Sequence, residues 1–153
     1  EAFNVSVVFI PHPNMEQYLR SFDLPKFVHA RRFGGGQPMQ GLFRSMAAFV
    51  TDYSSMAFEA AYLEKPVVSY QFDREEFYSG MHISRAGYFD FEKDGFGPVC
   101  FEEDEVLRVL EMQLRAGRPD EVYLGRAQAT FPFRDGRCSQ RVLDAIMAMG
   151  RAP

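Results

Sequence analysis

Cysteine is nearly absent from this 153-residue chain, which holds only Cys100 and Cys138. They form no CxxC pair and have no ligand-spaced partner, so the sequence indicates neither a disulfide scaffold nor a zinc site. His29 and His82 have no Asp, Glu or Cys at metal-ligand spacing, and we assign them no function. We therefore predict a protein without a metal or other cofactor, suited to a reducing cytoplasm.

Long apolar runs and an excess of positive charge are also missing. The longest apolar stretches, such as residues 5–10, have only the length of a strand, so we expect neither a membrane-spanning helix nor a signal peptide. Lys and Arg total 17 against 21 for Asp and Glu, and the net charge of −4 disfavours a nucleic-acid partner. A locally basic stretch is the exception, and of its arginines we expect only Arg137 and Arg141 to be available for phosphates. The stretch comprises Arg115, Arg118, Arg126, Arg134, Arg137 and Arg141.

Apolar patterns make strands and helices alternate along the chain. The predicted strands cover residues 5–10, 26–30, 48–52, 67–71 and 99–101. The predicted helices cover residues 15–22, 38–46, 55–64, 73–79, 102–115, 119–129 and 138–149. This order is typical of an α/β, Rossmann-like fold, a parallel sheet with helices on both faces. We predict that residues 1–153 form one such domain.

The most informative segment is the apolar strand at residues 48–52, because it ends in a hydroxyl-rich turn and runs straight into a helix. The turn reads Thr51-Asp52-Tyr53-Ser54-Ser55. A helix start offers unpaired N–H groups and a partial positive charge, which suits phosphate binding. Glu59 projects from the same helical face one turn beyond Ser55. Taken alone, however, the pattern favours the simpler interpretation that Ser54 or Ser55 caps the helix.

His12 lies between Pro11 and Pro13, just after the first predicted strand. The prolines restrict its backbone to an extended form and present the ring at the mouth of the sheet. Ligands of such sheets bind beyond the carboxyl ends of the strands, so we expect His12 to lie near Asp52–Ser55. A partly buried histidine bonded to the backbone is the simpler alternative.

Five segments of the chain together carry a resemblance: Pro11-His12-Pro13, Thr51-Asp52-Tyr53-Ser54-Ser55 with Glu59, Gly87-Tyr88-Phe89-Asp90-Phe91-Glu92-Lys93, Gly97-Pro98, and Asp135-Gly136-Arg137-Cys138-Ser139-Gln140-Arg141. In this order they resemble the CDP-glycerol glycerophosphotransferases, bacterial enzymes that build teichoic acids and related capsular polymers. The resemblance covers most of the chain. It implies a GT-B architecture of two Rossmann-like halves, of which this chain is the carboxyl-terminal, donor-binding half, cut from a longer polypeptide.

The resemblance also implies roles for individual residues. His12 would be a catalytic residue that contacts the donor pyrophosphate. Asp52 has a second interpretation, as a brace for the loop. At the position of Glu59 the family usually has aspartate. The residues expected to bind the donor or its phosphates are Thr51, Asp52, Ser54, Ser55, Glu59 and Arg137.

The implied reaction transfers polyol phosphate from CDP-glycerol, or a similar CDP-polyol, to a growing polymer and releases CMP. The implied partners are a nucleotide-diphosphate donor, a polymer or lipid-linked acceptor, and the amino-terminal half of the same polypeptide, which supplies a histidine base. We therefore expect the isolated chain to bind but not to turn over, and the full protein to work in the cytoplasm at the inner face of the membrane. A sugar-nucleotide-dependent GT-B glycosyltransferase domain and a non-catalytic domain of a multidomain capsule-synthesis protein stay open as alternatives.

One segment departs from the family, the run Arg31-Arg32-Phe33-Gly34-Gly35-Gly36. Its glycines permit close approach of the backbone to a ligand, and its arginines are able to pair with phosphate. Because the run matches neither GxGxxG nor a Walker motif, we interpret it as a flexible loop.

Overall fold

A computed structural model describes residues 3–33, 38–79 and 87–150. Residues 34–37, which include all three glycines of the segment interpreted as a flexible loop, and His82 lie outside the described residues. The strands are β1 (Val7–Phe9), β2 (Val28–Ala30), β3 (Phe49–Thr51), β4 (Val67–Tyr70) and β5 (Val99–Cys100). The helices are α1 (Met39–Ser45), α2 (Met56–Tyr62), α3 (Arg74–Tyr78), α4 (Glu103–Ala116), α5 (Glu121–Thr130) and α6 (Cys138–Met149), and a 3-10 helix covers Pro13–Ser21.

Every strand pairing in the described residues is parallel, which confirms the predicted α/β class. The strands are divided between two sheets, β1–β2 and β3–β4–β5, where we had expected one. A central parallel strand is normally buried on both faces. In β1, by contrast, Val7 and Val8 stay 46% and 39% exposed, so this strand lacks the cover that a place in the middle of the sheet requires.

Strand β4 is the centre of the larger sheet, and both of its faces are buried. Val67 packs in a cluster with Ala60 of α2, whereas Val68 packs in a second cluster with Val106 of α4. Since neighbouring strand residues point to opposite faces, the two clusters lie on opposite sides of the sheet. Helices therefore cover both faces of β3–β4–β5, as predicted.

The 3-10 helix at Pro13–Ser21 replaces the predicted α-helix at residues 15–22. None of its residues is buried. Short helices in proteins gain most of their stability by packing an apolar face, and that stabilisation is missing here.

The segment Gly87–Lys93, which resembles the family, builds a loop. Asp90 accepts hydrogen bonds from the N–H groups of Glu92 and Lys93, at 3.0 and 3.2 Å. Arg126 of α5 donates to the carbonyl oxygens of Glu92 and Gly95, at 3.1 and 2.9 Å. The loop is thereby fixed against α5.

Gly97 tests the packing over β4. A Cβ atom added to Gly97 would lie 1.8 Å from the carbonyl oxygen of Val67, and a β4 backbone atom is not free to move away. We expect Gly97→Ala to lower the free energy of unfolding by about 3 kcal/mol or more. In chemical denaturation, Gly125→Ala is the matched control, because nothing lies within 4 Å of its added Cβ and alanine favours a helix by about 0.5–1 kcal/mol. Equal stabilities of the two variants would contradict this account.

Candidate functional site

The predicted strand, turn and helix around residues 48–64 are confirmed. Thr51 is the last residue of β3 and lies opposite Ser69 of β4, and α2 begins at Met56. The turn at residues 52–55 therefore leaves the carboxyl edge of the β3–β4–β5 sheet, where ligands of parallel sheets bind.

The two serines of the turn differ in what they do. The hydroxyl oxygen of Ser54 accepts a hydrogen bond from the N–H of Met56 at 3.2 Å, so Ser54 caps α2. Ser55 occupies the N-cap position, but its side chain makes no capping bond and is exposed. The simpler interpretation is thus confirmed for Ser54, whereas the hydroxyl of Ser55 is left available.

The N–H groups at the start of α2 are not free, contrary to the expectation from the sequence. Met56 donates to the Ser54 hydroxyl, and Ala57 and Phe58 donate to the carbonyl oxygens of Ser54 and Ser55, at 3.2 and 3.0 Å. The unpaired donors lie one step earlier. Across residues 3–33, 38–79 and 87–150, the N–H groups of Tyr53, Ser54 and Ser55 have no hydrogen-bond acceptor. Free N–H groups of a turn are donors that an anion can use.

The carboxylates of the predicted site, Asp52 and Glu59, are both exposed. Neither accepts a side-chain hydrogen bond from another described residue, so no contact supports the interpretation of Asp52 as a loop brace. Glu59 stands one turn beyond Ser55 on α2, as the spacing predicted. Both carboxylates are therefore available as acceptors for hydroxyl groups.

Tyr53 is the residue of the turn that sequence reasoning missed. Its hydroxyl donates to a carboxylate oxygen of Asp73 at 3.0 Å, and its ring stacks on Phe77 with centroids 3.6 Å apart. Burial, followed by the contact with Asp73, raises the pKa of Tyr53 well above its usual value. The phenol therefore stays a hydrogen-bond donor. An aromatic residue inside a polar turn, with an aspartate just after the next strand, was the available signal.

His12 is exposed, and its Nδ1 atom accepts a hydrogen bond from the N–H of Asn14 at 3.2 Å. The ring is thus bonded to the backbone, as in the simpler alternative, but it is not buried. It follows β1, which belongs to the other sheet. Within the described residues no hydrogen bond joins His12 to the turn at residues 52–55, so its place in the site stays a prediction.

Most arginines of the basic stretch have structural partners. Arg141 does too, so the expectation that it is available for phosphates is wrong: it donates to both carboxylate oxygens of Asp135, at 3.0 and 2.5 Å. This contact lowers the pKa of Asp135. Arg137 is exposed, and its side chain has no partner among the described residues. The other pairs are Arg115 with Glu111, Arg118 with Glu121, Arg134 with Glu64, and Arg126 with the carbonyl oxygens of Glu92 and Gly95.

A cavity of about 540 Å³ lies at the carboxyl ends of β4 and β5, lined by residues 71–76 and Phe101. Gln71 is 0% exposed, and neither polar atom of its side chain has a hydrogen-bond partner. Arg74 forms an ion pair with Glu92 at 3.2 Å at the same place. Sequence patterns did not predict this cavity, because long-range packing creates it.

Two further properties concern the described residues only. They contain no cluster of three or more His, Cys, Asp or Glu side chains that could hold a metal ion. No helix among them is long and apolar enough to cross a membrane.

The raised pKa of Tyr53 predicts how stability changes at alkaline pH. The native state keeps a proton that the unfolded chain releases near pH 10, so the free energy of unfolding falls as pH rises past that value. In Tyr53→Phe this part of the fall is absent. Chemical denaturation at about pH 9 and about pH 11 measures it, and equal falls in both proteins would contradict the shift.

Comparison with known proteins shows which family the chain belongs to. The model of the CDP-Glycerol:Poly(glycerophosphate) glycerophosphotransferase family matches residues 2–148. The minor teichoic acid biosynthesis protein GgaB of Bacillus subtilis (strain 168) is 28% identical, over 95% of this chain and 15% of that protein. The teichoic acid poly(glycerol phosphate) polymerase of the same organism is 27% identical, over 82% of this chain and 17% of that protein.

A third relative is the teichoic acid ribitol-phosphate polymerase TarL of Staphylococcus aureus (strain NCTC 8325 / PS 47), 26% identical over 94% of this chain and 24% of that protein. The chain thus spans between 15% and 24% of the length of these three relatives. No solved structure matches it significantly. The family match covers nearly all of its residues, and the chain belongs to the CDP-glycerol:poly(glycerophosphate) glycerophosphotransferase family.

Proposed function

We propose that this chain is the donor-binding half of a GT-B enzyme that transfers polyol phosphate from CDP-glycerol, or a similar CDP-polyol, to a growing teichoic-acid or capsular polymer and releases CMP. The observation that carries the proposal is the turn at residues 52–55, which combines a free hydroxyl with three free N–H groups in a chain of this family. Relatives named as polymerases of glycerol phosphate and of ribitol phosphate support a polyol phosphate as the transferred group.

The turn offers what the phosphates of the donor need. During transfer, negative charge develops on the oxygens around the phosphorus, and positioned hydrogen-bond donors stabilise it. Ser55 and the N–H groups of residues 53–55 are such donors. Glu59 accepts hydrogen bonds from ribose or polyol hydroxyls, and Arg137 adds a positive charge if α6 lies against the bound donor.

His12 takes its proposed role through Nε2. Its Nδ1 atom is engaged by Asn14, which leaves Nε2 of the exposed ring to reach the donor pyrophosphate. This role requires β1 and β3 to lie side by side when the donor is bound, a closer arrangement than the two separate sheets.

The base for the acceptor hydroxyl is proposed to come from an amino-terminal half of the same polypeptide. Helix α6 supports such a partner, because none of its residues is buried and its apolar side chains face outward. Extended exposed apolar surface marks an interaction site. The apolar residues of α6 that are more than half exposed include Val142, Leu143, Ile146, Met147 and Met149. We place the complete enzyme in the cytoplasm, at the inner face of the membrane where a lipid-linked acceptor is within reach.

Substitutions of Ser55 and Ser54 test ligand binding and helix capping separately. We expect Ser55→Ala to weaken CDP binding about tenfold, since a hydrogen bond to a charged group contributes about 1.5–3 kcal/mol, and to leave the melting temperature unchanged. Ser54→Ala is the matched control, which removes the cap and costs about 1 kcal/mol of stability. Calorimetric titrations and thermal melts of the same samples measure both effects.

Several outcomes of these titrations would contradict the proposal. Unchanged CDP affinity in Ser55→Ala would place the phosphate site elsewhere. Tighter binding of UDP-sugars than of CDP compounds would favour the glycosyltransferase alternative. Absence of any nucleotide binding at millimolar concentration would favour a non-catalytic domain.

An assay of turnover tests the proposal that the base for the acceptor hydroxyl comes from the amino-terminal half. The 153-residue chain should release no CMP from CDP-glycerol, even with an acceptor present, because the base for the acceptor hydroxyl is proposed to come from the amino-terminal half. Chromatographic assay of CMP measures this. Steady release by the wild-type chain that His12→Ala abolishes would show that the chain carries a complete active site.

A further inference from the structure

We propose that Tyr53 and Asp73 are positioning residues that hold the turn at residues 52–55 in its shape. The role in donor binding that we draw from this rests on the proposed function. Neither residue has to touch the donor: Tyr53 stands between Asp52 and Ser54 in the chain, so fixing its side chain fixes the direction of the neighbouring N–H groups.

The side chain of Tyr53 is held from several directions. Its hydroxyl bonds to Asp73 at 3.0 Å, and its ring lies nearly parallel to that of Phe77, at an interplanar angle of 9°. Tyr78 and Phe91 contact it edge to face, with ring centroids 5.9 and 6.0 Å away. Aromatic pairs in these geometries contribute beyond the area that they bury. The turn is therefore attached to α3 and to the loop at residues 87–93.

Asp73 bonds to Tyr53 and does not cap its own helix, α3. It occupies the N-cap position of α3, where aspartate usually accepts a hydrogen bond from the helix backbone. Its side chain makes no such bond. At the N-cap of α5, by contrast, Asp120 does accept from the N–H of Val122, at 3.3 Å. The carboxylate of Asp73 thus serves the turn rather than its own helix.

The start of α3 is itself anchored, so it is able to hold the turn. Arg74 pairs with Glu92 at 3.2 Å and lies over the ring of Phe101, 5.6 Å from its centroid. The carbonyl oxygen of Glu92 in turn accepts from Arg126 of α5. A continuous set of contacts therefore runs from α5 through the loop and α3 to the turn.

Four single variants of the 153-residue chain, and the double variant that combines Tyr53→Phe with Asp73→Ala, test the role. Tyr53→Phe keeps the stacked ring and removes only the hydroxyl bond, Asp73→Ala removes its acceptor, and Asp73→Asn keeps an acceptor oxygen in place. Asp120→Ala is the matched control, an N-cap aspartate that bonds only to its own helix. CDP titration is measured on each, together with amide hydrogen exchange at Met56 and Ala57, whose N–H groups bond to Ser54.

We expect Tyr53→Phe and Asp73→Ala each to weaken CDP binding about fivefold, the factor that one ordinary hydrogen bond is worth, and to speed exchange at both amides by a similar factor. The double variant should lose no more than either single one, because both remove the same bond. Asp73→Asn should restore most of the affinity. Asp120→Ala should lower the melting temperature and leave affinity and turn exchange unchanged.

The two readouts separate failure of this inference from failure of the proposed function. If the wild-type chain binds no CDP while exchange at the turn still rises in Tyr53→Phe, the positioning role stands and the proposed function fails. Wild-type exchange in Tyr53→Phe would overturn the positioning role. Unchanged CDP affinity despite faster exchange would overturn its bearing on the donor, and an Asp73→Asn that behaves like Asp73→Ala would show that the hydrogen bond is not the cause.

Discussion

Burial of β4 on both faces is the constraint on which the site depends. Val67 and Val68 are 1% and 0% exposed, and each belongs to a different cluster. A strand covered in this way fixes its two parallel neighbours. The turn after β3 and the loop after β4 then leave the sheet at the same edge, close enough for Tyr53 to bond to Asp73. Replacement of Val67 by a smaller or a larger residue would therefore disturb the turn, although Val67 does not contact it.

The sequence predicted the elements well, because strands and helices depend on local apolar periodicity. Helix α6 begins and ends at the predicted residues, and β4 differs from its predicted range by one residue. The division into two sheets was not predictable, since the assignment of β1 to a sheet depends on packing between distant segments rather than on its own pattern. The 3-10 helix that begins at Pro13 was missed for the same reason.

The candidate site was predictable in residue type more than in role. Both serines were singled out, yet only the geometry shows that Ser54 is used by the helix and that Ser55 is free. Arg141 looked as available as Arg137 until Asp135 was found beside it. Such distinctions depend on which acceptor lies within hydrogen-bond distance of each donor. That information is absent from spacing along the chain.

The free donors of the turn change the physical account of anion binding. Helix α2 is only seven residues long, and its first three N–H groups are already bonded, so its dipole has little left to offer a phosphate. Anion binding by the free N–H groups of residues 53–55 depends instead on backbone direction, which a short turn does not fix by itself. A rigid side chain anchored elsewhere supplies what the turn lacks. This explains why an aromatic residue stands in a polar turn, and why its partner lies beyond the next strand.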